Sequence, residues 1–238
     1  MKPVSLLLIV LFVADLIFDS VLGKLGTAPE RYVTKGFLMP LLLTYFLLEI
    51  RNNATDSNLK SIRLICAALI FSFTGDILLV KSTSRISFEL GLAFFLLAHL
   101  CYIIFFYAKK SFTEKNAAFL LVSGLIIIGY MVVINYIFWN KMYQQNLFVP
   151  VIAYCCVIGF MLLCAVNISM SKRLNRIAVV FFIPGAVSFV ASDSMIGFNR
   201  FHLPKPLPDY YIMATYCAAQ FLIVTGAIQI INKKKFMK

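Results

Sequence analysis

Asp15, Asp19, Asp76, Glu89, His99, Asp193 and Asp209 interrupt stretches of sequence otherwise too apolar to carry ionisable groups. Such a group at bilayer depth costs at least about 2.5 kcal/mol on insertion scales, so it faces a protein interior or a wet cavity. Groups of this kind mark substrate or ion pathways and proton relays. Each also has a purely structural reading. Asp76 and Asp193 can pair with Lys35 or accept hydrogen bonds from Ser, Tyr or Gln, and His99 can be a satisfied buried histidine. Glu89 and Asp209, at helix N-termini, can complement the helix dipole.

Residues three, four or seven apart share a helix face, which groups these side chains. Asp15 with Asp19 and Ser72 with Asp76 are each one turn apart. His99 and Tyr102 form a short stripe, and Asp209, Tyr216 and Gln220 a longer one. The Phe and Tyr stripes read as core or lipid-facing surface, with Trp139 as an interface anchor.

The elements that must position these groups are transmembrane helices. Of 238 residues, 61% are hydrophobic and 13% charged, and the mean hydropathy is +0.90. A soluble fold cannot bury that much apolar surface. Hydropathy predicts spans near 4–22, 36–50, 62–80, 88–108, 117–138, 148–168, 177–198 and 210–231. The expected fold class is therefore all-α, a polytopic membrane bundle of about eight helices forming one domain over residues 1–238. Turn and interface residues mark the breaks: Gly26-Thr27-Ala28-Pro29, Asn52-Asn53, Lys109-Lys110, Lys172-Arg173 and the Pro-rich run 204–208. Asp15 and Asp19 argue against a cleavable leader, so the first apolar run reads as the first span.

The formal net charge of +12 is scattered over short loops and the C-terminus, which excludes a nucleic-acid-binding face. All six cysteines lie in apolar runs without a C-x-x-C pair, and read as small buried hydrophobes. Most of the 22 Lys and Arg residues fall on the N-terminal side of alternate spans, among them Lys2, Arg51, Arg63, Lys109, Arg173 and Lys234. The positive-inside rule then predicts cytoplasmic termini in a multi-pass protein of the plasma or inner membrane. In that orientation the acidic residues, Lys35 and His99 converge at similar depth, which predicts one polar cavity opening away from the cytoplasm.

Three segments resemble the YhhN-type lysoplasmalogenase family of eight-span membrane proteins. They are Phe71-Ser72-Phe73-Thr74-Gly75-Asp76, then Phe88-Glu89-Leu90-Gly91 continuing to His99-Leu100-Cys101-Tyr102, then Ser192-Asp193-Ser194 running on to Asn199-Arg200-Phe201. A Tyr216…Gln220 element also fits, and the family's Thr-Lys-Pro entry to span 2 reads Thr34-Lys35-Gly36 here. The resemblance implies hydrolysis of the vinyl ether bond of lysoplasmalogens to a fatty aldehyde and a glycerophospho-base. That chemistry protonates a carbon and then captures an oxocarbenium ion with water. It suits one neutral and one ionised carboxyl, the two-carboxylate logic of glycosidases. The expected catalytic pair is Asp76 and Asp193. Lys35, Ser72, Glu89, His99, Tyr102, Ser192, Asn199, Tyr216 and Gln220 are expected to support them or bind substrate, with Lys35 the phosphate partner.

The implied partners are a lysophospholipid and the bilayer, with no metal and no cofactor. Two other classes stay open. Intramembrane Asp and His chains also serve proton-coupled transporters or channels, although no inverted repeat of broken helices is visible. A metal-dependent amide or ester lipid hydrolase would need about three ligands, and His99 is the one histidine inside a span.

Overall fold

A computed structural model describes residues 3–25, 28–80, 84–110 and 117–233. The described chain is helical, without strands, and eight of its helices are long and apolar enough to cross a membrane. They are α1 (Pro3–Leu25), α2 (Ala28–Ile50), α3 (Asp56–Val80), α4 (Arg85–Lys109), α5 (Ala117–Gln144) and α6 (Phe148–Ser169). After them come α7 (Asn175–Phe201) and α8 (from Asp209). The protein is a multi-pass membrane protein. Lys2, Lys81, Lys115, Lys234, Lys235 and Lys238, counted for orientation, lie outside the described residues, as do Gly26 and Thr27 of the first break.

Most neighbours in sequence pack side by side, α4 instead turns from α3 to α6 and not to α5, and α8 closes the bundle against α1, α2, α3 and α7. α5 lies outside, against α6 and α7, and presents Leu121, Ile126, Val132 and Tyr136 outward. In water that surface would drive aggregation, whereas in lipid it is the solvent-facing side. The tightest approach joins α3 to α4. A Cβ on Gly75 would sit 2.7 Å from the Phe95 ring, and one on Gly91 2.8 Å from Leu79. Two bare backbones therefore let the helices touch next to Asp76.

Polar side chains tie the helices together at one end of the bundle. Ser5 donates to Glu49, joining α1 to α2, and Asn53 donates to Asn232 of α8 at 2.8 Å. α5 ends on Asn146 at φ 53, with Leu147 N–H donating to the Met142 carbonyl at 2.9 Å. Asn is among the few non-glycine residues that tolerate this left-handed helix stop.

The predicted spans sit inside the observed helices, with one large difference. α2 begins at Ala28, eight residues before the expected start. The stretch through Arg31, Thr34 and Lys35 lowers hydropathy but stays helical because its polar groups find partners on α1 and α8, described below. α7 runs on through Pro184-Gly185 without a break. Residues Ala178–Phe182 form a π-helical turn, in which Ile183 N–H donates five residues back to Ala178. Pro184 lacks an N–H and crowds the carbonyl four residues behind it, and the widened turn absorbs both effects. Cys156 is exposed on the lipid side, unlike the buried Cys164 and Cys217, so not every cysteine is a core residue.

Candidate functional site

Asp193 stands on α7 with its side chain 14% exposed. Tyr154 of α6 donates its hydroxyl to Asp193 Oδ2 at 2.5 Å, and His99 Nε2 of α4 lies 2.9 Å from the Tyr154 oxygen and 3.4 Å from Asp193 Oδ2. Tyr154 has one hydrogen and commits it to the carboxylate. Nε2–H of His99 therefore donates to the phenol oxygen, an assignment drawn from the network, not from a visible hydrogen. Nδ1 is then the lone-pair nitrogen, and it is buried with no hydrogen-bond partner. The Phe189 ring, one turn before Asp193, meets the imidazole edge-on at 4.7 Å and 79° and fixes its tilt.

Asp193 lines a chamber of about 60 Å³ whose other walls include Phe88, Phe95, Phe138, Met131 and Ile134. That volume is well below the roughly 300–1,000 Å³ of ordinary ligand sites, so the chamber is a narrow, closely packed slot. Asp193 is the one ionised-type side chain in that lining. The chamber is thus an apolar slot with a single carboxylate held by a tyrosine and a histidine.

Asp76 is buried, 4% exposed, and absent from the chamber lining. Tyr216 of α8 donates to its Oδ2 at 2.7 Å. The Tyr216 ring packs edge-on against Phe95 and against Phe189, both at 5.7 Å. Asp76, Tyr216, Phe189, His99 and Asp193 therefore form one continuous chain of contacts, and Lys35 and Asp193 both lie within electrostatic reach of Asp76. Deeper in the bundle, Gln220 donates to Ser72 at 2.8 Å and accepts from Tyr102 at 2.5 Å.

Beside the chamber is a vestibule of about 310 Å³, and Leu79, Phe88 and Ile196 line both. Its polar lining comprises Arg31, Lys35, Asn199, Arg200 and Asp209. Arg31 pairs with Asp209 and reaches the fully buried Asp19 of α1 at 3.5 Å. Thr34 donates to the same Asp19 carboxylate at 2.6 Å. Asn199 brackets Leu207 of the Pro-rich loop, donating to its carbonyl at 3.1 Å and accepting from its N–H at 2.6 Å.

The expected residues thus separate. Asp193 and His99 meet at the chamber, and Lys35 and Asn199 at the vestibule. Asp76, Tyr216, Ser72, Tyr102 and Gln220 form the packed layer behind. Ser192 donates to the Ile212 carbonyl at 3.1 Å and staples α7 to α8. Glu89 does not belong to the group. It pairs with Arg85 one turn away at 2.7 Å, with both side chains solvent-exposed, because its position on α4 points away from the bundle axis. Among the described residues no group of three His, Cys, Asp or Glu side chains comes together as a metal site.

Sequence reasoning missed Tyr154, Arg31 and Arg200. Tyr154 looks like any aromatic of an apolar span, and nothing in its spacing marks a hydroxyl that bridges two other helices. Arg31 reads from the sequence only as a loop charge, and Arg200 only as a loop charge and a member of the Asn199-Arg200-Phe201 run, with no role of its own. A usable signal existed for both: Arg31 shares a helix face with Thr34 and Lys35, and Arg200 directly follows Asn199.

The fold and site define a class, a membrane-embedded helix bundle with an apolar inner chamber beside a charged vestibule. Residues 30–227 match the YhhN family, and the chain belongs to that family. Over 166 residues it is 33% identical to a Mycobacterium bovis protein named "Lysoplasmalogenase", an alignment covering 69% of this chain and 60% of that protein. It is 27% identical to "Lysoplasmalogenase TMEM86A" of Bos taurus over 69% of this chain and 65% of the relative. Identity to "Lysoplasmalogenase TMEM86B" of Rattus norvegicus is 28%, over 70% and 62%. The alignments therefore span less than two thirds of these relatives' length. No solved structure matches the chain.

Proposed function

We propose that this protein is a membrane-embedded lipid hydrolase that cleaves the vinyl ether bond of lysoplasmalogens, releasing a fatty aldehyde and a glycerophospho-base. The observation that carries the reading is the apolar chamber with one carboxylate on its wall. The apolar walls suit the first carbons of an alkenyl chain, admitted as the Phe and Met side chains part, and its reactive double bond would lie where Asp193 can exchange a proton. The printed names of the relatives favour the same reaction.

Cleavage begins when a carboxylic acid gives its proton to the β-carbon of the vinyl ether, forming a C–H bond and leaving an oxocarbenium ion at the α-carbon. Water adds to that carbon and loses a proton, giving a hemiacetal. The hemiacetal C–O bond to glycerol then breaks as the glycerol oxygen takes up a proton and the aldehyde forms. One water is consumed and the acid is restored. Asp193 is the group that meets substrate: it takes up the catalytic proton on Oδ1, while Tyr154 and His99 hold Oδ2 and stabilise the carboxylate left when that proton departs. Asp76, behind Tyr216, supplies negative charge that stabilises the cation, as the second carboxylate does in glycosidases.

The test is mass-spectrometric detection of aldehyde from purified protein given lysoplasmalogens, ester lysophospholipids and ceramides, with and without chelator. General acid–base catalysis is worth about 10²–10⁴-fold, so Asp193→Asn is expected to lose activity on that scale. Asp76→Asn is expected to lose about tenfold through the field alone. Wild-type turnover by both variants, in protein that still folds, removes the proposal. The Tyr154, Asp193 and His99 chain also has the form of a proton relay. Solute uptake into proteoliposomes without aldehyde release would favour the transporter reading instead.

A further inference from the structure

The vestibule carries chemistry that the chamber lacks. Arg31, Lys35 and Arg200 line it with a single carboxylate, Asp209. They come from α2, α7 and α8 at one end of the bundle. Arg31 is tied down by Asp19 and Asp209, so it forms a fixed positive wall. Lys35 lies one turn further along the same face of α2. Arg200 reaches across from the last turn of α7, its guanidinium 5.0 Å from the centroid of the Phe88 ring. The Asn199 clamp on Leu207 holds the adjoining loop, whose Pro206 lines the same space. These cations are therefore mounted on bonded, packed elements before any ligand arrives.

We propose that the vestibule is a phosphodiester site. It seats the phosphate of a lysophospholipid headgroup between Lys35 and Arg200, with Asp209 facing the headgroup's cationic end. Basic pockets between membrane helices hold lipid headgroups in this way, and guanidinium and ammonium groups supply the charge-assisted hydrogen bonds that phosphate oxygens accept. Continuity supplies the rest. Leu79, Phe88 and Ile196 line both cavities, so the two adjoin, and a ligand with a charged head in the vestibule directs its apolar chain toward the chamber across these three side chains. A neutral glyceride could use only the chamber, and a soluble phosphodiester only the vestibule. This inference deepens the hydrolase reading and takes from it the direction in which the lipid lies.

Binding of a lipid that cannot react separates the two claims. The probe is lysophosphatidylcholine with an ester-linked chain, measured on the purified full chain in nanodiscs. The comparisons are monoacylglycerol of the same chain length and glycerophosphocholine. Two charge-assisted phosphate contacts predict that lysophosphatidylcholine binds at least about tenfold tighter than either. Combining Lys35→Gln with Arg200→Gln is expected to bring it within about threefold of monoacylglycerol. Monoacylglycerol affinity itself stays unchanged, which reports that the chamber is still folded, and Lys35→Arg retains the preference. Equal binding of the charged and neutral lipids by the wild-type protein overturns the proposal, as does a preference that survives the double substitution. Glycerophosphocholine binding as tightly as the lysolipid also overturns it, since the site would then serve a soluble ligand. If the lysolipid binds as expected but lysoplasmalogen yields no aldehyde, the headgroup site stands and the hydrolase reading falls.

Discussion

Replacing Tyr154 by Phe removes one oxygen atom from the chamber and leaves the aromatic ring in place. The ring keeps its edge contact with His99 at 5.5 Å, so packing around α6 is preserved. The hydroxyl, however, makes two contacts, donating to Asp193 at 2.5 Å and accepting from His99 at 2.9 Å. Without it Asp193 Oδ2 keeps only His99 Nε2, at 3.4 Å, which is longer than the roughly 2.7–3.2 Å of a sound hydrogen bond. A hydrogen bond to a charged group contributes about 1.5–3 kcal/mol. If the carboxylate is held for catalysis by this bond, that energy is lost from the transition state, about 10- to 150-fold in kcat/KM. The loss should fall on kcat, because the chain still enters the same apolar slot. Aldehyde release from lysoplasmalogen in mixed micelles measures it, and thermal unfolding checks that the variant still folds, with a loss of about 1–3 kcal/mol expected for the buried bond. A folded Tyr154→Phe protein with wild-type kcat/KM would refute the argument that Tyr154 holds Asp193 in its working orientation.

Gly75→Leu should lower the unfolding midpoint, since even a Cβ there meets Phe95 at 2.7 Å and overpacking costs about 1–3 kcal/mol. Gly197→Ala places a methyl 2.5 Å from Phe138 on the chamber wall, and should raise KM more for long alkenyl chains than for short ones in a chain-length series. Asp19→Asn takes a buried partner from Arg31, and breaking a buried ion pair costs about 3–5 kcal/mol. It should therefore destabilise the protein in a chemical or thermal melt even though α1 lies at the edge of the bundle. A reporter fused after Lys238 that is active only in the cytoplasm is the expected outcome for orientation, and activity only outside would reverse it.

The helices were legible because bilayer thickness and backbone hydrogen bonding leave few choices for runs this apolar. Depth was legible too, since charges at matching distances from their span ends gather at one end. What spacing cannot supply is the angle at which helices face one another. Asp76 and Asp193 look equivalent as G-D and S-D dipeptides, yet one sits behind a tyrosine and the other on a cavity wall. Glu89 is misleading for the same reason, as a carboxylate at a helix start reads alike whether it turns inward or toward its own Arg85. The early start of α2 escaped hydropathy because Arg31 and Thr34 are neutralised by a helix that precedes them in sequence.

The π-helical turn in α7 sets the rotational phase of every residue after it. One additional residue per turn rotates the downstream helix by about 100° relative to an unbroken α-helix, and Asp193 lies downstream of residues 178–182. Removing a single residue there would leave hydropathy, length and composition almost untouched, yet swing the carboxylate off the chamber wall. Pro184 resists the closing of that extra loop into ordinary helix. Among related chains, a one-residue gap in this stretch would therefore alter chemistry more than many substitutions, and an alignment drawn straight through it would pair side chains that face different ways.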